Sequence, residues 1–170
     1  AYVPQAADAI LFHETLEQEI RFTMRGRGGP NGEAAMLERA GLVGREADHP
    51  RDFSVGERVR TAIVAAVAGH PDVILLDEPT RGMDAAGRDW LATELQAWRD
   101  EGRTVIIVTH DVELVARVAT RVMLLAAGEI VLDGPVRDVL GESPLFSSQM
   151  NKVFGTRSIL TIEDALSAAR

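Results

Sequence analysis

The 170-residue sequence predicts an α/β fold built on a parallel sheet, and three observations carry that expectation. Val73-Ile74-Leu75-Leu76 and Val105-Ile106-Ile107-Val108 are short, branched, apolar runs of the kind found in strands buried on both faces of a parallel sheet. Each run is followed by a helical pattern, residues 85–100 after the first and 112–119 after the second. Each also ends in groups capable of chemistry: Asp77 and Glu78 after the first, His110 and Asp111 after the second. In open α/β sheets ligands gather at the C-terminal ends of the strands, so these side chains stand where chemistry is expected.

Composition narrows the classes further. With 46% hydrophobic and 26% charged residues the chain has the make-up of a globular domain able to bury roughly 70% of its unfolded surface. No apolar run approaches the ~20 residues of a membrane span. A formal net charge of −8 argues against a broad nucleic-acid footprint, which needs a basic face. Cysteine is absent, which excludes a disulfide framework and thiolate metal sites, and the start Ala1-Tyr2-Val3-Pro4-Gln5 has no signal-peptide pattern, so a cytoplasmic location fits. The lone lysine is Lys152, in no glycine-rich setting, so the 170 residues hold no Gly-x-x-x-x-Gly-Lys-Ser/Thr phosphate loop.

In chain order, Tyr2 and Val3 end a strand that Pro4 turns into a loop. Residues 10–24 carry a helical pattern with Thr15 as N-cap. The glycine-rich stretch 25–30 lacks the preceding strand and following lysine of a phosphate cradle and is a connector. Residues 31–42 form a second helix, with Asn31 as cap and Ala34, Leu37 and Leu42 on its apolar side, ending near Gly41 and Gly44. Phe53-Ser54-Val55-Gly56-Glu57-Arg58 opens an apolar helix over 61–68. Ser54 followed three residues later by Glu57 is a capping box, and the same unpaired amides at a helix start can bind an anion. In the helix over 85–100, Trp90, Leu91, Leu95 and Trp98 are spaced for core packing. Residues 121–126 and 129–132 form a hairpin around Ala127-Gly128, 135–140 a short helix, and 141–170 a tail with a final helix over 162–169.

Together these motifs resemble the nucleotide-binding domain of ATP-binding-cassette (ABC) proteins. Val73 to Glu78 resembles the Walker B strand with its glutamate, Pro79 to Asp84 the run into the D-loop, and Thr109-His110 the switch histidine. Phe53 to Arg60 resembles the signature usually written Leu-Ser-Gly-Gly-Gln, with Val55 in place of its first glycine. Tyr2 to Gln5 resembles the Q-loop. The resemblance implies a partial P-loop NTPase (RecA-like) core with a parallel sheet plus the ABC α-helical subdomain. It divides the chain into 1–60 (Q-loop, helical subdomain and signature), 61–140 (the Walker B, D-loop and H-loop part of the core) and a 141–170 tail. The Walker A portion would lie before Gln5, so the chain resembles the C-terminal two thirds of a cassette, inactive by itself.

The resemblance also implies roles. Asp77 would hold Mg²⁺, Gln5 would approach the metal and the attacking water, Glu78 would act as general base and His110 would contact the γ-phosphate of ATP. Ser54, Gly56 and Glu57 would face ATP held by a second ABC ATPase domain in a head-to-tail dimer, and Asp84 would link the two sites. A transmembrane permease subunit would dock on the helical subdomain, with Leu11 and Phe12 as contacts or, equally, as subdomain core. The protein would then sit peripherally at the inner face of the cell membrane, an ATPase driving solute uptake. Residues 11–20, 80–84 and 143–146 are most similar to energy-coupling-factor ATPases, which serve uptake of vitamins and of cobalt or nickel ions. The alternatives are a non-transport cassette ATPase acting on nucleic acid or ribosomes, which the acidic balance disfavours, and a non-enzymatic dimerisation piece; no nucleic-acid partner is expected.

Overall fold

A computed structural model describes residues 1–25, 31–142, 148–156 and 158–168. The connector expected over 25–30 (apart from Arg25), the side chain of Asn31 and the phrase 143–146 lie outside the described residues. The chain forms two compact units, Ala1–Thr109 and His110–Arg170.

The first unit is built on three parallel strands, β1 (Tyr2–Val3), β2 (Val73–Asp77) and β3 (Thr104–Val108), in the order β1-β2-β3. Their register sets Val3 beside Leu76 and Leu76 beside Ile107, and Asp77 beside Val108. Val3, Ile74 and Leu76 are almost completely buried. On the opposite face Tyr2, Val73, Ile106 and Val108 are about half exposed. The expectation of strands buried on both faces is therefore corrected: the branched runs can be covered twice, but in this structure one face stays open.

Four helices complete this unit: α1 (Leu16–Met24), α2 (Asn31–Ala40), α3 (Val55–Val67) and α4 (Ala85–Asp100). A 3₁₀ turn over Ala7–Ile10 precedes the helix expected from residue 10, and residues 11–14 of that expected helix are not helical. Helix α1 starts only after Thr15, whose hydroxyl accepts from the Gln18 amide at 3.3 Å. Helix α2 stops at Gly41, where φ is +65°; the Gly41 amide donates to Glu38 and the Leu42 amide to Leu37, the paired closing bonds of a Schellman end. Ala34 is exposed, contrary to its expected place on the apolar side. Leu16, Ile20, Leu37, Leu42, Phe53 and Val64 pack into one cluster joining α1, α2 and α3. Each such apolar side chain contributes roughly 1.5–3 kcal/mol by leaving water.

Helix α3 starts at Val55, six residues before the expected apolar segment and directly after Ser54, the cap that the capping box predicts. In α4, Leu91, Leu95 and Trp98 are buried as their spacing predicts, and Trp90 packs against the cluster from its edge. Arg39 of α2 donates two hydrogen bonds, of 2.9 and 2.6 Å, to the buried carboxylate of Glu94 in α4. Two parallel N–H donors give this pair geometric as well as electrostatic definition.

The second unit holds α5 (Val112–Val118), the hairpin β4 (Arg121–Ala126) and β5 (Glu129–Pro135), α6 (Val136–Glu142), α7 (Gln149–Phe154) and α8 (Ile162–Ala168). Ala127 and Gly128 both have positive φ, the demand of a type I′ turn, and fix the hairpin with Ala126 opposite Glu129. A register shift between Leu124 and Leu125 marks a bulge in the partner strand. Strand β5 runs three residues further than expected, and Arg121 pairs with Asp133 across it at 2.8 and 2.7 Å. Helix α7 was not expected in the tail. It is a six-residue element capped by Ser148, too short for an apolar period to declare it. Arg137 reaches Asp164 at 2.8 Å, and the amides of Leu160 and Thr161 also donate to that carboxylate. Burial pushes Asp164 up, but Arg137 and these amides prevail and hold it below the usual carboxylate range. Among the described residues, no helix is long and apolar enough to cross a membrane.

Candidate functional site

The parallel register brings the ends of three strands to one edge of the first unit. Strand β1 ends at Val3 beside Leu76, so Gln5 leaves the sheet at the same edge as Asp77 and Glu78, and Thr109 follows β3 there. Gln5 is exposed. Asp77, by strand alternation, points to the face of Val73 and Leu75; its carboxylate makes no hydrogen bond or ion pair with another described residue.

Glu78 is held in a costly conformation. Its φ is +47°, a left-handed setting that an L-residue without local compensation adopts at a cost of about 1–3 kcal/mol. The compensation is visible: the Glu78 amide donates to the Val108 carbonyl at 2.8 Å, extending the β2–β3 ladder, and its own carbonyl accepts from the Arg81 amide at 3.2 Å. The Thr109 hydroxyl donates to Glu78 Oε2 at 3.3 Å. Buried Pro79 and Thr80 then anchor the chain before it reaches exposed Gly82. Strain of this kind concentrates at functional positions, and here it falls on the residue that follows β2, whose carboxylate meets Thr109 at the end of β3.

A second cluster forms at the start of α3. The Ser54 hydroxyl accepts from the Glu57 amide at 3.3 Å, and Glu57 Oε2 accepts from the Ser54 amide at 2.8 Å, completing the expected capping box. Arg45 donates to Glu57 at 3.0 Å, pairs with Asp48, and lies over the Phe53 ring at 4.4 Å. Hydrogen bonding to Ser54, through its side chain and then its backbone, holds Glu57 below the usual carboxylate range, with Arg45 and Arg60 adding to the effect. A lowered pKa in the folded state contributes stability that is complete above the unfolded value of about 4.3 and is lost as pH falls through the folded value. Acid titration followed by circular dichroism should therefore show a loss of stability below about pH 4.3 that Glu57→Gln makes shallower. An unchanged slope in that variant would contradict the assignment.

The two clusters meet in part. Gly56 lies against the backbone of Gly82 and Met83, so the capped helix start touches the loop that leaves Glu78. Asp84, at the far end of that loop, caps α4 by accepting from the Gly87 amide at 2.8 Å. His110 opens the second unit, exposed, one residue after Thr109 in sequence. Phe12 is 76% exposed, which removes it from the subdomain core, while Leu11 is half-buried. The partnership of Thr109 with Glu78 was absent from the sequence expectations. Its one sequence signal was a hydroxyl at a strand end beside another strand end carrying a carboxylate.

The profile of the family described as ABC transporter matches residues 1–81. Provisionally named ABC transporter ATP-binding proteins of Streptomyces avermitilis and Streptomyces coelicolor are 38% and 40% identical over 161 residues, covering 94% of this chain. The chain belongs to the ATP-binding-cassette family. Among solved structures this cassette chain is similar to cbiO1 of Clostridium perfringens, described as part of the ABC transporter complex cbiONQ, with a TM-score of 0.72 and 27% identity over 90% of this chain and 62% of that one. It is also similar to the dimeric cassette MJ0796 bound to ADP and Pi, with a TM-score of 0.66 and 28% identity over 79% of this chain and 62% of the other. The cassette chain thus has the P-loop NTPase fold, with a parallel sheet and flanking helices. It spans 29% of the length of the two Streptomyces relatives.

Proposed function

We propose that this cassette chain is part of the ATP-hydrolysing subunit of an importer, in which ATP turnover drives solute uptake through a membrane-embedded permease. The observation that carries the reading is Glu78, strained at φ +47° and fixed by Val108 and Thr109 at the strand edge shared with Asp77 and Gln5. Phosphoryl transfer asks a protein chiefly for positioning and charge stabilisation, and a carboxylate with a locked backbone suits the base that orients water.

The donor set fits Mg²⁺. Among the described residues no group of three or more metal-ligating side chains forms a closed cage, while Asp77 offers one carboxylate that no other described residue engages. Mg²⁺ beside a nucleotide is commonly held through one or two carboxylates with phosphates and water filling its octahedron. In that arrangement Asp77 would hold the ion, which neutralises phosphate charge, and Gln5 would approach it and the water. His110 would contact the γ-phosphate. Ser54, Gly56 and Glu57 would face the nucleotide of a second cassette in a head-to-tail dimer, with Asp84 linking the sites.

The finer reading is an energy-coupling-factor ATPase at the cytoplasmic face of the membrane, serving vitamin, cobalt or nickel uptake. Residues 11–20 and 80–84 and the likeness to a cbiONQ component support it; exposed Phe12 is then available to the permease. The test is phosphate release from ATP by the purified full-length protein with and without Mg²⁺. Mg²⁺-dependent release is expected; its absence with the permease subunit present would overturn the proposal.

A further inference from the structure

Two glycines bring the start of α3 against the loop that follows Glu78. A Cβ on Gly82 would lie 2.4 Å from Val55 Cγ1 and 3.0 Å from Val55 Cβ, and one on Gly56 would lie 3.0 Å from the Gly82 carbonyl oxygen and 3.4 Å from Met83 Cα. Gly82 cannot take a side chain while this contact stands, and a side chain at Gly56 would have to push the Gly82 backbone aside by a few tenths of an ångström. Gly82 has a second reason to be glycine, its φ of +75°. Val55 is itself 50% exposed, so its isopropyl group is not there to fill the core; it rests on the tip of a surface loop.

That loop is held at both ends. Glu78 is tied to β3 through Val108, Asp84 caps α4, and between them the Arg81 and Met83 amides donate to Glu78 and Thr80 in consecutive turns. Its exposed middle, Arg81-Gly82, carries no buried side chain of its own, and Val55 with Gly56 supplies the third point of attachment. Displacing Gly82 would pull directly on the turn whose acceptor is the Glu78 carbonyl.

We propose that Val55 is a positioning residue for Glu78: its branched side chain clamps Gly82 against the N-terminus of α3 and thereby keeps the loop, and the left-handed backbone of Glu78 at its head, in the setting needed for ATP hydrolysis. Where the signature pattern usually has glycine, this chain has a side chain that fastens the signature segment to the loop after Walker B within one subunit. The inference rests on the reading of Glu78 as the base.

The test uses the full-length protein with Val55→Ala and Val55→Thr, read by steady-state ATP turnover and by amide hydrogen exchange over residues 80–84. Val55→Ala, which keeps Cβ but removes Cγ1, the Val55 atom nearest Gly82, should lower kcat about tenfold, the scale of coupling between residues in direct contact, with KM for ATP unchanged. Exchange at Arg81, Gly82, Met83 and Asp84 should rise. Val55→Thr keeps the branched shape and should stay within about twofold of wild type on both readouts. Full kcat in Val55→Ala, or equal damage in Val55→Thr, would overturn the clamp. A wild-type protein that releases no phosphate would sink the reading of Glu78, and exchange would then decide the clamp alone: faster exchange in Val55→Ala upholds it and unchanged exchange refutes it.

Discussion

Glu78→Gln in the full-length protein is expected to lower kcat for ATP by about 10³-fold, the middle of the range for a positioned general base. ATP should remain bound, because the change removes a proton acceptor while keeping the shape of the side chain. The amide should also keep the local structure: the backbone bonds to Val108 and Arg81 do not involve the side chain, and a Gln oxygen can still accept from the Thr109 hydroxyl. Loss of turnover with retained nucleotide would mark an interaction made in the transition state rather than in the bound ground state. Turnover near the wild-type rate would remove Glu78 from the role of base.

The 170 residues by themselves are expected to release no phosphate from ATP and to bind it with a Kd of about 1 mM or weaker. Tight phosphate binding in this fold class needs a glycine-rich loop of amides and a lysine reaching the β- and γ-phosphates. The only lysine in the chain is Lys152, on α7 in the second unit, and no Gly-x-x-x-x-Gly-Lys sequence is present. In the proposed site the chain would contribute the side that handles metal and water. Calorimetry giving micromolar affinity for the 170-residue chain would contradict this and would call for a phosphate cradle among other residues.

Much of this was legible in the sequence, and the limits have physical reasons. The strand at 73–77 and the helix at 85–100 declared themselves because a branched apolar run and a 3.6-residue period are strong local signals, and Asp77 and Glu78 followed from their place after the strand. The capping box of Ser54 and Glu57 was readable from a three-residue spacing. The exposure of Val73, Ile106 and Val108 was not, since a branched run records only that a strand can be covered on both faces. Nor was the left-handed backbone of Glu78, which depends on a ladder bond to Val108 thirty residues away. The packing of Val55 on Gly82 was equally hidden: Val55 stood out in sequence only as a departure from a pattern, and its partner lies across a helix, a turn and a strand. Helix α7 escaped because six residues are too few for periodicity.

The proposed site divides its labour between two adjacent carboxylates, with Asp77 for the metal and Glu78 for the water. Electron paramagnetic resonance of Mn²⁺ bound together with ATP to the full-length protein tests that division directly, comparing wild type with Glu78→Gln and Asp77→Asn. ATP-dependent Mn²⁺ binding should survive in Glu78→Gln and weaken by at least tenfold, about 1.4 kcal/mol, in Asp77→Asn. Equal retention in both variants, or equal loss, would contradict it.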